Sequence, residues 1–215
     1  MAVRMVASGT IVSRYTAAAR LNHWVTAITL ILLAISGLSL YYPSLYFLTG
    51  LFGGGQWTRI IHPWLGCLLL LSFAGLFIRF FRYNLWERTD NVWLSRVREV
   101  LAGDEERLPE VGRYNAGQKL VFWSMSLLIL ILFVTGIAIW DEYFAAYTSI
   151  EQKRIAVMVH ALAATVTIIV WIVHVYAAIW VRGTVRAMTR GSVTGGWAWR
   201  HHRRWLREEV TKQTP

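Results

Sequence analysis

Four stretches of this chain contain no Asp, Glu, Lys or Arg. They are Leu21–Gln56, with its apolar heart at Trp24–Leu40; Ile60–Ile78, between Arg59 and Arg79; Leu120–Trp140, between Lys119 and Asp141; and Ile155–Val181, between Arg154 and Arg182. A hydrocarbon layer about 30 Å thick takes roughly 20 apolar residues in helix. Within it every backbone amide must be paired inside its own segment, so helices are the expected form. The prediction is an all-α membrane protein, a four-transmembrane-helix bundle with spans near 22–42, 60–82, 118–140 and 154–182. Composition agrees: 56% hydrophobic and 16% charged residues, against about 45–50% and about 25% in soluble domains. No cleavable signal peptide is expected, because Arg4, Arg14 and Arg20 precede the first span without an apolar core and a small-residue cleavage site.

The formal charge of +10 suggests nucleic acid until its placement is counted. Residues 1–20 hold three Lys or Arg, Arg79 to Lys119 hold eight and the tail from Arg182 holds eight; only Arg59, Lys153 and Arg154 adjoin the other two loops. This asymmetry predicts cytoplasmic N- and C-termini, a cytoplasmic loop 83–117, anionic lipid as a neighbour and no nucleic-acid partner. The organisation expected is a cytoplasmic segment 1–20, a membrane domain 21–182 and a basic cytoplasmic tail 183–215. Within the loop, Trp93, Val97, Val100 and Leu101 share one helical face and Gly103 follows as a stop. An amphipathic helix on the interface is expected there, with a solvated connector as the alternative. No solenoid-type repeat is seen. The single cysteine, Cys67, excludes an intramolecular disulfide and a Cys-rich metal site.

Four of the six histidines, His23, His62, His160 and His174, fall inside or at the mouth of a span. Ionisable groups are expensive in lipid and mark function. The predicted topology puts His23 near the inner end of span one and His62 near the outer end of span two. Span four carries His160 in its outer half and His174 in its inner half. The last two are 14 residues apart, about 21 Å along a helix and about 40° around it, hence on one face. Depth therefore pairs His62 with His160 and His23 with His174. Two His–His pairs at two levels fit two b-type haems, each held by two imidazoles. A shared zinc or copper ion cannot span about 20 Å. No Cys-x-x-Cys-His occurs, which excludes covalent c-type attachment.

The neighbours suit a flat macrocycle. Span four presents Ala156, His160, Ala163, Ala164, Thr167, His174, Ala177 and Ala178 on one face, and Gly37, Gly66, Gly75 and Gly136 are available opposite. Small residues also serve plain helix packing. Arg20 and Arg59 each lie three residues before a ligand candidate, one turn toward the interface. They are candidates for haem propionates, or for simple anchoring. Trp24, Trp57, Trp64, Trp140 and Trp180 read as the interfacial aromatic belt. No Gly-x-Gly-x-x-Gly is present, so a lipid-soluble acceptor, a quinone, is expected. His201 and His202, amid Arg200, Arg203 and Arg204, read as a solvated or headgroup-facing segment.

The chain closely resembles the b-type cytochrome (gamma) subunit of bacterial membrane-bound formate dehydrogenase, over about residues 11–207. The resemblance rests on Arg20-Leu-Asn-His23-Trp24, Arg59-Ile-Ile-His62-Pro63, Gly112-Arg-Tyr-Asn115-Ala-Gly117-Gln118-Lys119, Met158-Val-His160-Ala, Val173-His174-Val-Tyr176 and Trp197-Ala-Trp-Arg-His201-His202. It departs from the family after His202, where Arg203 stands in place of proline. The resemblance implies an inner-membrane subunit whose iron–sulfur (beta) partner receives electrons from a molybdenum or tungsten catalytic (alpha) subunit. Electrons then pass through the two haems to menaquinone or ubiquinone, so formate oxidation lies in another subunit and quinone reduction here. It also implies a quinone site at Asn115, Gly117, Gln118 and His174; Asn115 reads equally as a helix cap. Alternatives are the cytochrome b subunit of another dehydrogenase or hydrogenase, a free-standing dihaem membrane oxidoreductase, or a colourless ion transporter.

Overall fold

The computed structural model describes residues 10–213. Residues 1–9 and 214–215, the far ends of the expected cytoplasmic segment and tail, lie outside it. Four long helices carry the apolar runs: α1 (Ala17–Tyr41), α2 (Gly55–Phe80), α5 (Ala116–Ile139) and α7 (Ile150–Trp180). Each is long and apolar enough to cross a membrane, and each begins before its charge-free run, because the flanking polar residues still close helical hydrogen bonds. Between α2 and α5 lie α3 (Arg88–Ser95) and α4 (Val97–Ala102); α6 (Asp141–Phe144) precedes α7. After α7 come α8 (Thr184–Arg190), α9 (Gly195–His201) and α10 (Arg203–Gln213). Strands β1 (Ile11–Ser13) and β2 (Ser192–Thr194) pair antiparallel, with Val12 opposite Val193.

The chain divides into two compact units. The apolar unit comprises Leu21–Ile78 and Ser124–Val173, the greater part of the four long helices and their two short connections. Its helices are apolar all round, and many large side chains, such as Leu71 and Ile169, are exposed on the face offered to lipid. Polar groups bond inward. Thr26 hydrogen-bonds to Ser72, which donates to Asn22 Oδ1 at 3.2 Å, a pairing that holds α1 against α2 where no water competes. Gly75 leaves room for this: a Cβ there would stand 2.7 Å from Asn22 Nδ2. Gly75 thus lies against Asn22 at the packing of α1 on α2. Gly53 and Gly54 have φ of +86° and +100°, and this left-handed backbone turns the chain into α2.

The polar unit gathers the segments up to Arg20, Arg79–Trp123 and from His174 onward. In the described range these segments hold eighteen of the twenty-one Lys and Arg residues, so the charge asymmetry of the sequence coincides with a structural division. Its core packs Val193, Trp197, Ala198, Trp205 and Leu206. Arg14, 4% exposed, lies against the rings of Tyr15, Tyr114, Trp197 and Trp205, an aromatic setting suited to a buried guanidinium.

Two expectations are corrected here. The loop does not form one amphipathic helix: the backbone breaks at Arg96, between α3 and α4. Trp93 turns into a small core with Val111 and Ala116, while Val97 and Leu101 stay exposed. His202 is not solvated; it is 1% exposed. Its Nδ1–H donates to the Gly112 carbonyl at 2.8 Å and its Nε2 faces Arg14 Nη2 at 3.5 Å. Burial, and then Arg14, push its pKa well below the usual histidine value.

The unit also exposes a repeat. Arg14 donates to the Arg113 carbonyl, Arg113 donates back to the Arg14 carbonyl, and the Tyr15 and Tyr114 hydroxyls meet at 3.1 Å; all three pairs are 99 residues apart. At the same offset Thr16 caps α1 through Ala19 N, and Asn115 caps α5 through Gln118 N. The register runs on through Leu21 and Leu120, Trp24 and Trp123, and Ser36-Gly37 and Thr135-Gly136. The chain enters the membrane twice with the same local structure.

Candidate haem site

His62 on α2 and His160 on α7 face one another in the apolar unit, with ring centroids 6.3 Å apart and planes at 63°. An imidazole nitrogen sits about 2 Å from a metal it ligates and about 1 Å from its ring centre, so two imidazoles that held one ion between them would have ring centres about 6 Å apart. The observed 6.3 Å would suit such a pair, a bis-imidazole clamp.

The helix behind each ring sets its tautomer. Ser36 Oγ lies 2.7 Å from His62 Nδ1 and donates its own proton to the Leu32 carbonyl at 2.8 Å. Thr135 Oγ1 lies 2.9 Å from His160 Nδ1 and donates to the Ile131 carbonyl at 2.7 Å. A hydroxyl has one proton. With it spent on the backbone, the hydroxyl accepts from Nδ1–H. The proton is thereby on Nδ1 in both rings, and each Nε2 lone pair is left for a ligand.

Space is provided by glycine. A Cβ on Gly37 would stand 3.3 Å from His62 Cε1, one on Gly136 3.5 Å from His160 Cε1, and Gly66 has open space. A cavity of about 570 Å³ runs between the rings, lined by all three glycines, Ala164, Thr167, Pro63, Cys67 and Arg59; small-molecule sites span about 300–1,000 Å³. Its walls are mainly apolar, which suits a porphyrin. Among the described residues no cluster of three or more His, Cys, Asp or Glu is placed to hold a metal ion. His62 and His160 are the side chains that would hold haem iron in this cavity.

Arg59 lines the same cavity, three residues before His62. Arg20 Nη1 donates to the Thr189 carbonyl at 2.9 Å, in the polar unit. His23 stands on α1 in the apolar unit and His174 on α7 in the polar unit. Asn115 and Gln118 are joined as a reciprocal capping box: Asn115 Oδ1 accepts from Gln118 N at 2.9 Å, and Gln118 Oε1 accepts from Asn115 N at 3.0 Å. Both acceptor oxygens are thus used by the helix end. A Cβ on Gly117 would stand 3.2 Å from the Trp93 ring, so that glycine admits Trp93. Ser36 and Thr135 escape sequence reading, since a hydroxyl in a membrane helix ordinarily bonds its own backbone; only their shared Ser/Thr-Gly pattern, 26 and 25 residues before a histidine, carries a signal.

A multi-pass helical membrane protein with a clamp of this kind is a membrane cytochrome. The family model of prokaryotic cytochrome b561 matches residues 14–191, and the chain belongs to that family, helical membrane bundles that bind b-type haem. Among curated proteins it is similar to the cytochrome b556(fdo) subunit of formate dehydrogenase from Escherichia coli K12, 45% identical over 201 residues covering 94% of each chain. It is also similar to the nitrate-inducible cytochrome b556(Fdn) subunit from the same organism, 41% identical over 88% of this chain and 87% of that one. The formate dehydrogenase cytochrome b556 subunit of Haemophilus influenzae is 38% identical, over 95% of this chain and 86% of that one.

When bound, haem supplies a reversible one-electron iron couple. His62 and His160 would hold it, with Ser36 and Thr135 against their Nδ1 atoms and a mainly apolar wall around it.

Proposed function

We propose that this chain is the membrane-anchoring electron-transfer subunit of a respiratory formate dehydrogenase, carrying electrons from an iron–sulfur subunit through two b-type haems to menaquinone or ubiquinone. The observation that carries this reading is the His62–His160 clamp in a chain that aligns along nearly its whole length with formate dehydrogenase cytochromes. The partners are then an iron–sulfur subunit and a molybdenum or tungsten catalytic subunit. The setting is the bacterial inner membrane with both termini cytoplasmic, as the Lys and Arg placement favours.

The second haem is assigned to His23 and His174. His160 and His174 lie on one continuous helix, and their spacing puts them about 21 Å apart along its axis, two levels of one electron path. Arg59 is assigned to a propionate of the His62–His160 haem and Arg20 to one of the other haem. The quinone is assigned to Asn115, Gly117, Gln118 and His174. The capping box leaves the Asn115 and Gln118 amide N–H groups as donors for a quinone oxygen that gains negative charge on reduction.

Haem content tests the reading. The complex purified with its partner subunits is expected to carry two b haems per copy of this chain, both reduced by formate. His62→Ala and His160→Ala should each remove one haem and spare the other, and His23→Ala should remove the other. One haem per unmutated chain, or a folded His62→Ala variant lacking both, would overturn the two-site assignment. A purified chain without associated subunits, and unreduced by formate when mixed with them, would overturn the formate dehydrogenase assignment.

A further inference from the structure

Resting on the reading of His62 and His160 as haem ligands, we propose that Ser36 and Thr135 are a matched pair of positioning residues that set the reduction potential of that haem through their ligands' Nδ1 atoms. Four observations converge. Each hydroxyl sits within 3 Å of a ligand's Nδ1. Each has its own proton committed to a backbone carbonyl one turn back, so each is an acceptor toward the ring. Each is followed by a glycine against the ring: a Cβ on Gly37 would stand a tight 3.3 Å from His62 Cε1, and one on Gly136 would be in ordinary contact with His160 Cε1 at 3.5 Å. The two also occupy equivalent places in the 99-residue register. The same device thus appears on both sides of one haem, once in each half of the chain.

The chemical consequence has a sign. An imidazole whose Nδ1–H is given to an acceptor is a stronger base at Nε2 and donates more electron density to the metal. That density stabilises ferric iron relative to ferrous iron and lowers the midpoint potential. Two such bonds act in the same direction. Removing either hydroxyl releases the ring from its acceptor, and the potential rises. His160 also meets the Leu132 backbone, so the shift is expected to be larger for Ser36→Ala than for Thr135→Val.

The test uses the complex purified with its partner subunits and the variants Ser36→Ala, Thr135→Val and the double variant, with Ser36→Thr and Thr135→Ser as conservative controls. Haem per chain is measured by pyridine haemochrome, midpoint potentials by redox titration of the α band, and the ferric centres by low-temperature electron paramagnetic resonance. The expected result is two haems retained, one titrating component moved to higher potential with an altered ferric g-tensor, the other component unmoved, and a larger shift in the double variant. Both conservative variants should titrate with the unmutated protein. Titration curves of the double variant that superpose on the unmutated ones would overturn the proposal. So would loss of haem from both single variants, because the hydroxyls would then belong to the fold. Retention of both haems by His62→Ala is a separate result, and it refutes the ligand assignment instead.

Discussion

Replacing Asp90 with Asn removes one charge from an ion pair that water barely reaches. Lys119 and Asp90 side chains are each 2% exposed, with Nζ 2.8 Å from Oδ2. Lys119 also donates to the Leu85 carbonyl at 2.9 Å, and Asp90 Oδ2 accepts from Glu87 N at 2.7 Å. Asparagine keeps an acceptor for Glu87 N, so the perturbation is confined to charge. Removing one partner of a buried pair costs about 3–5 kcal/mol, because the other charge stays buried without compensation. Glu87 lies 3.8 Å from the ammonium but is 45% exposed, and offsets at most about 1 kcal/mol, the upper end for solvated pairs. The expected loss for Asp90→Asn is therefore about 2–4 kcal/mol. Replacing both residues, Asp90→Asn with Lys119→Met, should recover most of it, since no buried charge remains. The assay is equilibrium unfolding in mixed micelles followed by tryptophan fluorescence; Trp93, on the same short helix as Asp90, is buried and reports locally. A loss below about 1 kcal/mol for the single variant, equal to that of the double, would refute the claim that this pair is desolvated. The pair matters to function because Lys119 follows Gln118 directly, and anchors the first turn of α5 where the proposed quinone donors stand.

Three further outcomes are expected. His202 has its pKa pushed down by burial and by Arg14, so below about 6.5 the unfolded chain binds a proton that the folded one refuses, and stability falls with acidification by at most about 1.4 kcal/mol per pH unit; unfolding measured from pH 7.5 to 5.5 should show this slope, and His202→Gln should remove it. Asn115→Asp and Gln118→Glu keep the oxygens of the capping box while deleting the amide donors, so quinone reduction and inhibition by quinone analogues should weaken with both haems still bound; Asn115→Ala should in addition cost about 1 kcal/mol of helix stability, and full activity in the Asp and Glu variants would limit the block to capping. Gly37→Ala places a methyl 3.3 Å from His62 Cε1, whereas Gly66→Ala meets nothing within 4 Å among protein atoms; Gly37→Ala should therefore disturb the His62 geometry and broaden the ferric resonance signal of that haem, and an unchanged signal would show that α1 yields.

The division between sequence and tertiary structure follows the range of the forces involved. The sequence alone determined the class. A charge-free run of sufficient length has only one hydrogen-bonded form in lipid, so the four helices are legible in Leu21–Gln56, Ile60–Ile78, Leu120–Trp140 and Ile155–Val181. The candidate ligands were legible for the same reason: a histidine in hydrocarbon is costly unless it is used. What required the folded chain was every relation between groups distant in sequence. The 6.3 Å clamp of His62 and His160 depends on how α2 and α7 are juxtaposed. The roles of Ser36 and Thr135 depend on a hydroxyl on one helix meeting a ring on the next. The two Arg-Tyr-x-Ala segments are alike in sequence, but that Arg14 and Arg113 clasp one another's carbonyls is a contact that only the fold decides. His202, amid arginines in sequence, is buried because Trp197, Trp205 and the Gly112 carbonyl close around it. Composition within a short window reports how a segment partitions between water, lipid and protein only on average; which partner satisfies a particular polar atom is decided by packing.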